Sequence, residues 1–154
     1  MEIKTDKLLW KKSILQSAKE KQQAIVNDFR LRIENILKAE KGISEEGMDL
    51  DRQARDDYGK LEVNLLADQL NFAVEEMNLL NKISIEKPLH NQVQFGSVVV
   101  TDQEKVFFVS VSLEEFKVDG KEVFGMSTKA PIYQDLKGKI TGDSFGNQTI
   151  TDLF

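Results

Sequence analysis

Carboxylate side chains are concentrated in one short segment, residues 42–59, which separates two stretches with helical periodicity. Its six acids are Glu45, Glu46, Asp49, Asp51, Asp56 and Asp57, and only Arg52 and Arg55 oppose them. One interpretation is a solvated turn, in which acids near a helix start cap free N–H groups and complement the helix dipole. The other is a tip that carries negative charge to something some distance away.

Opposite charge precedes this acidic segment. Residues 4–41 contain ten basic and five acidic residues, a net charge of +5, whereas residues 45–57 have a net charge of −4. The whole chain has a net charge of −5, so a functional role for charge must come from its distribution. The simpler alternative is that the basic residues coat a solvated helix.

Other sets of reactive residues are missing from the sequence. It contains no cysteine, which excludes disulfides, thiolate chemistry and cysteine zinc sites. His90 is the only histidine and has no nucleophile or ligand partner near it in sequence, so we expect a surface role. A Ser-His-Asp set, a histidine metal cluster and a dinucleotide fingerprint are absent as well. We therefore expect no self-contained active site and no cofactor of the protein's own.

The composition predicts a soluble globular protein. The chain has 154 residues, of which 40% are hydrophobic and 31% are charged, enough for one domain or two small ones. No apolar run approaches the roughly 18 to 20 residues that span a bilayer. The first residues are charged and lack the features of a signal peptide, so the expected location is cytoplasmic, with no membrane contact.

Helical periodicity dominates the first half of the chain. Residues 5–41 lack Pro and Gly, and their apolar residues recur at three-four spacing. The second stretch, about residues 50–82, carries two apolar stripes. The first stripe is Ala54, Tyr58, Leu61, Leu65, Phe72 and Leu79, and the second is Leu66, Leu70, Ala73, Met77 and Leu80. One partner helix cannot cover both stripes. We therefore expect the later half to pack on the first helix and on the C-terminal domain, and the half near the acids to pack, through the first stripe, on the first helix alone. A short join makes the helices antiparallel, which places the acids at the far end of the hairpin.

Extended structure is predicted after Pro88. The runs at 93–100, 105–112 and 122–127 are rich in Val and Phe, and Asp119-Gly120 is a strong hairpin signal. Residues 130–139 read as one short helix closed by Gly138. The fold class is therefore α+β: a helical hairpin or coiled coil (1–83, acidic tip near 43–57), a linker (84–91) and a small antiparallel sheet domain (92–154). Trp10 and the strand phenylalanines Phe95, Phe107, Phe108, Phe116 and Phe124 are assigned to packing.

Two segments of the second half resemble a known family. The run VQFGSVVV at 93–100 resembles the opening strand of the C-terminal domain of bacterial Gre-type (GreA/GreB) transcript cleavage factors. The run STKAPIYQDLKGKITGD at 127–143 resembles that domain's Ser-x-x-Ala-Pro segment, short helix and Gly-Lys-x-x-Gly-Asp turn. Length, domain order and Tyr58 early in the second helix also agree. The resemblance implies an FKBP-like fold for residues 92–154.

The resemblance also implies a function. A Gre-type protein docks its C-terminal domain on RNA polymerase and inserts the hairpin into the secondary channel. Acids at the tip then help to hold a Mg²⁺ ion shared with the polymerase, since Mg²⁺ prefers hard oxygen ligands. In this sequence Asp49 and Asp51 would be the metal contacts, supported by Glu45 and Glu46. The basic first helix would favour contact with nascent RNA, and the free protein would be a monomer.

The tip departs from the family pattern, which leaves alternatives open. Gre factors carry an Asp-Leu-x-Glu run before the tyrosine. Alignment on Tyr58 places Ala54 at the Glu position, and alignment on Asp49-Leu50 places Arg52 there. One alternative is therefore a polymerase-binding regulator or inhibitor without cleavage activity. The other is a free-standing coiled-coil interaction module whose acids serve only solubility.

Overall fold

The protein consists of two long helices followed by a six-stranded sheet that holds one short helix. The computed structural model describes the backbone of residues 2–43, 50–86 and 89–154, and the side chains of residues 6–39, 57–86 and 89–154. The elements are α1 (Glu2–Ile43), α2 (Leu50–Asn81), β1 (Val98–Thr101), β2 (Val106–Ser110), β3 (Leu113–Val118), β4 (Lys121–Ser127), α3 (Pro131–Leu136), β5 (Ser144–Phe145) and β6 (Gln148–Leu153). This order confirms the predicted α+β class.

Among the described helices, none combines the length and apolar character that crossing a bilayer requires.

The chain divides into two compact units. One comprises Met1–Lys21 with Asn78–Phe154, and the other comprises Gln22–Met77. The division into 1–83, 84–91 and 92–154 stays a prediction based on the change in sequence pattern. By compactness, the start of α1 groups with the sheet. The reason is side-chain contact: Lys7 Nζ lies 2.8 Å from Asp152 Oδ1, and the rings of Trp10 and Phe154 stack at 5.5 Å. The assignment of Trp10 to packing is therefore correct.

The strands form one sheet in the order β3-β4-β2-β1-β6-β5. Four of its five pairings are antiparallel, as predicted, but β2 and β4 run parallel, from Val106 opposite Val123 to Ser110 opposite Ser127. The sheet is therefore mixed rather than purely antiparallel. Sequence could not show this, because β3 leaves the end of β2 and takes a place outside β4 instead of beside β2.

Gly125 is a residue of β4 that lies next to the connection from β2 to β3. A Cβ atom at this position would lie 2.5 Å from the carbonyl oxygen of Val111 and 2.7 Å from both the backbone nitrogen and Cβ of Leu113. Distances below 3.0 Å to backbone atoms leave no room for a side chain. The absence of a side chain at Gly125 thus allows the β2–β3 connection to approach β4 closely.

The predicted turn and helix end are present. Asp119 and Gly120 both have positive φ, 52° and 80°, as the two central residues of a type I′ hairpin do. Gly138 follows α3 with φ of 80°, the left-handed conformation that commonly ends a helix. The predicted strand at 93–100 is shorter than expected: β1 begins at Val98, because Gln94–Ser97 forms a turn closed by a hydrogen bond from Ser97 N to Gln94 O.

Side chains from β1, β2, β4, β5, β6 and α3, together with Val93 ahead of β1, form the core of the sheet. Its buried members are Val93, Val99, Val109, Met126, Tyr133, Leu136, Phe145, Ile150 and Leu153, with Phe107 packed against them. Of the five phenylalanines assigned to the core, Phe108 is fully buried, whereas Phe95, Phe107, Phe116 and Phe124 are half-buried. That assignment is therefore correct in full for one of them and in part for the other four.

The two outer strands differ from the inner ones. β3 is buried at its two ends, Leu113 and Val118, whereas Glu114, Glu115 and Lys117 are exposed. Lys21 Nζ donates a hydrogen bond of 3.2 Å to the carbonyl oxygen of Glu115. At the opposite edge, β5 contains only Ser144 and Phe145. The charged side chains of β3 and the short length of β5 are features that discourage pairing of a sheet edge with another strand.

Candidate functional site

The predicted tip acids fall at the join between α1 and α2. Glu45, Glu46 and Asp49 lie outside the described residues. Asp51 lies in the first turn of α2, and its side chain is outside the described part. Within residues 6–39, 57–86 and 89–154, no group of three or more His, Cys, Asp or Glu side chains could hold a metal ion. The tip metal site therefore stays a prediction.

The second unit contains the contact that an antiparallel hairpin requires. Gln22 Nε2 on α1 donates a hydrogen bond of 2.9 Å to the carbonyl oxygen of Ala73 on α2. Both residues lie at similar distances in sequence from the join, so the two helices run in opposite directions between them. Gln22, Val26 and Ala73 are at most 3% exposed. The small side chain of Ala73 allows this close approach.

The stripe expected to pack along α1 is solvent-exposed in the structure, so that prediction was wrong. The exposed fractions are 69% for Tyr58, 57% for Leu61, 58% for Leu65 and 57% for Phe72, and Leu79 is 36% exposed. The second stripe is the covered one: Ala73 and Leu80 are buried, and Leu66, Leu70 and Met77 are half-buried. Leu65 and Leu66 are neighbours in sequence and therefore about 100° apart on the helix, so one partner covers only one stripe.

A cleft of about 420 Å³ opens between the two helices beside Gln22. Ile25, Phe29, Phe72 and Ala73 provide apolar walls, and Asp68 contributes a carboxylate. The Gln22 side chain is 1% exposed, and its Oε1 atom has no hydrogen-bond partner among the described residues. An unpaired buried acceptor is costly, so this atom is a candidate contact for an incoming donor.

The two segments that carry the family resemblance meet in the sheet unit. Val93 N donates to the carbonyl oxygen of Lys139 at 2.8 Å, and Gly138 N donates to that of Val93 at 2.9 Å. Asp143 closes the turn, because its Oδ2 atom accepts a hydrogen bond of 2.9 Å from Ile140 N. Ile132 and Ile140 are 39% and 53% exposed beside this turn, which makes them candidate contacts for a partner.

His90 has a structural role that sequence reasoning missed. It is half-buried, and its Nδ1 atom lies 2.7 Å from Ser97 Oγ. Burial lowers the pKa of His90, and the charge of Lys11 lowers it further. Ser97 is completely buried and also accepts a hydrogen bond from Gln94 N, so its hydroxyl is not open to a substrate. The pair fixes the turn before β1; it does not form a hydrolase site.

Lys11 is a second unpredicted feature of the sheet unit. Its side chain is only 3% exposed, and burial lowers its pKa from 10.5 to about 8. The residue lies on α1 among positions that a helical pattern assigns to the covered face, but its charge hides this in the sequence. Its neighbour Trp10 borders a separate cleft of about 430 Å³, with Leu9, Ser13 and Lys121. Lys121 Nζ lies 5.4 Å from the centre of the Trp10 ring.

Comparison with known proteins gives a faint likeness. No protein-family model and no curated protein matches the chain. The similar solved structures include GreA factor homolog 1 (Gfh1) of Thermus thermophilus, 17% identical with a TM-score of 0.36, over 88% of this chain and 94% of that chain. Gfh1 of Thermus aquaticus is 16% identical with a TM-score of 0.33, over 87% and 92%. A further structure of the transcription factor Gfh1 is 19% identical with a TM-score of 0.33, over 81% and 80%.

Likeness at this identity and TM-score assigns neither a family nor an activity to the chain. Only the residues themselves bear on function: the two resembling segments, the helical hairpin and the acids at its join.

Proposed function

We propose that this protein is a Gre-like factor that binds RNA polymerase through its sheet unit and inserts the acidic hairpin join into the secondary channel. The observation that carries the proposal is the pairing of Val93 with Gly138 and Lys139. It brings together the two segments that resemble Gre factors, although they are far apart in sequence. The protein then acts as an accessory to the polymerase, not as an enzyme alone.

The acids at the join supply the proposed chemistry. Glu45, Glu46, Asp49 and Asp51 provide carboxylates, the ligands that Mg²⁺ prefers. Delivered to the polymerase centre, Asp49 and Asp51 would help to hold a shared metal ion, which stabilises the attacking and leaving oxygens of phosphodiester cleavage. The basic residues of α1 would attract the phosphates of displaced nascent RNA.

We propose that RNA polymerase binds the surface beside α3 and the turn that follows it, which Asp143 closes. Ile132 and Ile140 are apolar side chains that are 39% and 53% exposed, and they could contribute apolar contact area to the centre of an interface. Asp substitutions at both positions should weaken polymerase binding at least tenfold. Substituting the exposed Lys105 on the β1–β2 turn serves as the matched control and should leave binding unchanged.

The experiment that tests the proposal combines a binding assay with transcript cleavage on stalled elongation complexes. The wild-type chain should bind core polymerase and change the cleavage rate. The double variant Asp49→Asn and Asp51→Asn should bind equally well but lose the effect on cleavage. Asp56→Asn with Asp57→Asn is the matched control and should behave as wild type. Absence of polymerase binding would refute the proposal, and full activity of the Asp49/Asp51 variant would refute the metal assignment.

Inhibition of cleavage is a second candidate outcome, favoured by one observation at the tip. Ala54 or Arg52 occupies the position where the family carries a glutamate, so one expected metal ligand is missing or replaced by a cation. An arginine there would repel Mg²⁺ while the hairpin still fills the channel. The same cleavage assay separates the two, because an inhibitor slows the intrinsic cleavage of the stalled complex and a stimulator accelerates it.

A further inference from the structure

The exposed side of α2 forms an apolar surface that no side chain covers among the described residues 22–39 and 57–77 of its own unit. We define the α2 stripe as Tyr58, Leu61, Leu65 and Phe72, each more than half exposed. Their spacing of three, four and seven residues places them on one face of the helix. Together they expose about 400 Å² of largely apolar surface, the size of patch that on soluble proteins often marks an interaction site.

Acidic and amide residues surround this stripe. Residues 57–77 contain the acids Asp57, Glu62, Asp68, Glu75 and Glu76 and the single base Lys60, a net charge of −4. Asp68 and Glu75 are exposed and occupy the stripe's own face, at seven-residue spacing from Leu61. A partner that covers the stripe would therefore meet a negative rim, and complementary charge on that partner would be basic.

The cleft beside Gln22 adds a polar requirement. Phe72 belongs to both the stripe and the cleft, so the two form one continuous surface within the second unit. Gln22 Oε1 is buried and has no hydrogen-bond donor among the described residues, and Asp68 lines the same cleft. A guanidinium or ammonium group would satisfy both: it donates a hydrogen bond to the amide oxygen and neutralises the carboxylate.

From these observations we propose that the α2 stripe and the Gln22 cleft bind a basic amphipathic helix from a partner protein. Its apolar face covers Leu61, Leu65 and Phe72, and an Arg or Lys side chain enters the cleft toward Gln22 and Asp68. This is the helix-in-groove mode, in which anchors at helical spacing give affinity. The proposal is independent of polymerase binding, so either can fail while the other stands.

A second copy of this chain is the less suitable occupant. Stripe against stripe would bury about 400 Å² per partner, half of the roughly 800 Å² that a stable interface of standard size buries. It would also bring two surfaces of net charge −4 together. A single basic helix matches both the limited area and the charge.

The test uses the full chain and two synthetic helical peptides of equal length. Both carry Leu along one face; the first has Arg at the flanking positions and the second has Glu there. Isothermal titration at low salt should show binding of the Arg peptide, with the Glu peptide at least tenfold weaker. Raising the salt should weaken the Arg peptide several-fold, because rim charges are screened.

Variants locate the site. Leu65→Ser with Phe72→Ser should weaken the Arg peptide at least tenfold, and Asp68→Asn with Glu75→Gln several-fold. Gln22→Met should also weaken it several-fold, which tests the cleft separately from the stripe. Leu31→Ser, on an α1 side chain that is 54% exposed, is the matched control and should leave binding unchanged.

Several results would overturn the proposal. They are equal affinity for the two peptides, no binding of the Arg peptide, or an equal loss with Leu31→Ser. Sedimentation equilibrium measures the oligomeric state of the chain without peptide. If the wild type is a dimer and the double variant Leu65→Ser with Phe72→Ser is a monomer, the stripe binds a second copy of the chain instead. Circular dichroism of each variant confirms that the helices are retained.

Discussion

The indole ring of Trp10 packs against the ring of Phe154, with 5.5 Å between the ring centres and an angle of 39° between the planes. Phe154 is completely buried, and Lys7 Nζ lies 5.9 Å from the centre of its ring. Backbone hydrogen bonds between Phe154 and Val98 tie the same residue to β1. This contact therefore links the first turns of α1 to the pairing of β1 with β6 in the sheet.

Removing the indole should destabilise the sheet unit. Trp10→Ala uncovers the Phe154 ring and is expected to lower the free energy of unfolding by about 2 to 4 kcal/mol. Trp10→Phe keeps an aromatic contact and should cost less than half as much. Chemical denaturation gives the free energy of unfolding of Trp10→Ala, Trp10→Phe, Phe154→Leu and the double variant Trp10→Ala with Phe154→Leu. The double-mutant cycle then measures the interaction energy between the two rings. Strict additivity of the two substitutions would show that the rings do not stabilise each other.

Lys11 should make stability depend on pH in the alkaline range. Its pKa is about 8 in the folded protein and 10.5 in the unfolded chain, so between these values the unfolded state binds more protons. The free energy of unfolding should therefore rise with pH from about 8 to 10.5, by up to about 3 kcal/mol. Denaturation at pH 7 and pH 10 measures the change.

Lys11→Met should abolish that rise and stabilise the protein at pH 7, because the cost of burying the charge disappears. Lys12→Met, at an exposed neighbouring position, is the control and should keep the pH dependence of the wild type. If the difference between wild type and Lys11→Met is constant from pH 7 to pH 10, Lys11 is not buried with its charge.

Gly125→Ala tests the crossing of the chain over β4. The new methyl group would meet Val111 O at 2.5 Å, so the connection must move, and the expected loss of stability is about 2 kcal/mol or more. Glu122→Ala on the same strand is exposed and should change the free energy of unfolding by less than about 0.5 kcal/mol. Thermal unfolding of both variants measures the effect. An unchanged melting temperature for Gly125→Ala would refute the close approach of the β2–β3 connection to β4.

The covered and exposed faces of the hairpin can be told apart by matched truncations. Val26→Ala removes a side chain that is 3% exposed and should cost about 1 to 3 kcal/mol. Leu65→Ala removes a larger side chain that is 58% exposed and should cost less than about 0.5 kcal/mol. Denaturant unfolding of both variants measures these losses from the transition midpoints, provided that the m-value is unchanged. A larger cost at Leu65 would mean that the first stripe, not the second, packs on α1.

Local chemistry made part of the fold predictable. Long runs without Pro or Gly give helices, and the Asp119-Gly120 turn and the Gly138 helix end follow from backbone conformations that few residues adopt. The limits were equally physical. Two apolar stripes on α2 have the same period, so periodicity alone could not decide whether Leu65 or Leu66 faces α1. The parallel β2–β4 pairing depends on which strand takes the place beside β2, and no local residue pattern shows that this strand is β4 rather than β3.

The candidate site was predictable in part. Acid clustering at the hairpin join is visible in the sequence, but the side-chain positions of Asp49 and Asp51 remain a prediction. The buried Lys11 and the His90–Ser97 pair were missed, because charged and polar residue types normally indicate a surface position. Only their placement on covered faces, which tertiary packing decides, shows their role.

The charged strand β3 and the short strand β5 at the two edges of the sheet affect how this protein can bind other molecules. Exposed charges on β3, the Lys21 contact to the Glu115 carbonyl oxygen and the two-residue length of β5 oppose extension of the sheet by a foreign strand. Recruitment by strand addition, and its pathological counterpart, fibril growth, are therefore both disfavoured. Recognition of side chains on helices and turns is the mode of partner binding that these edges favour.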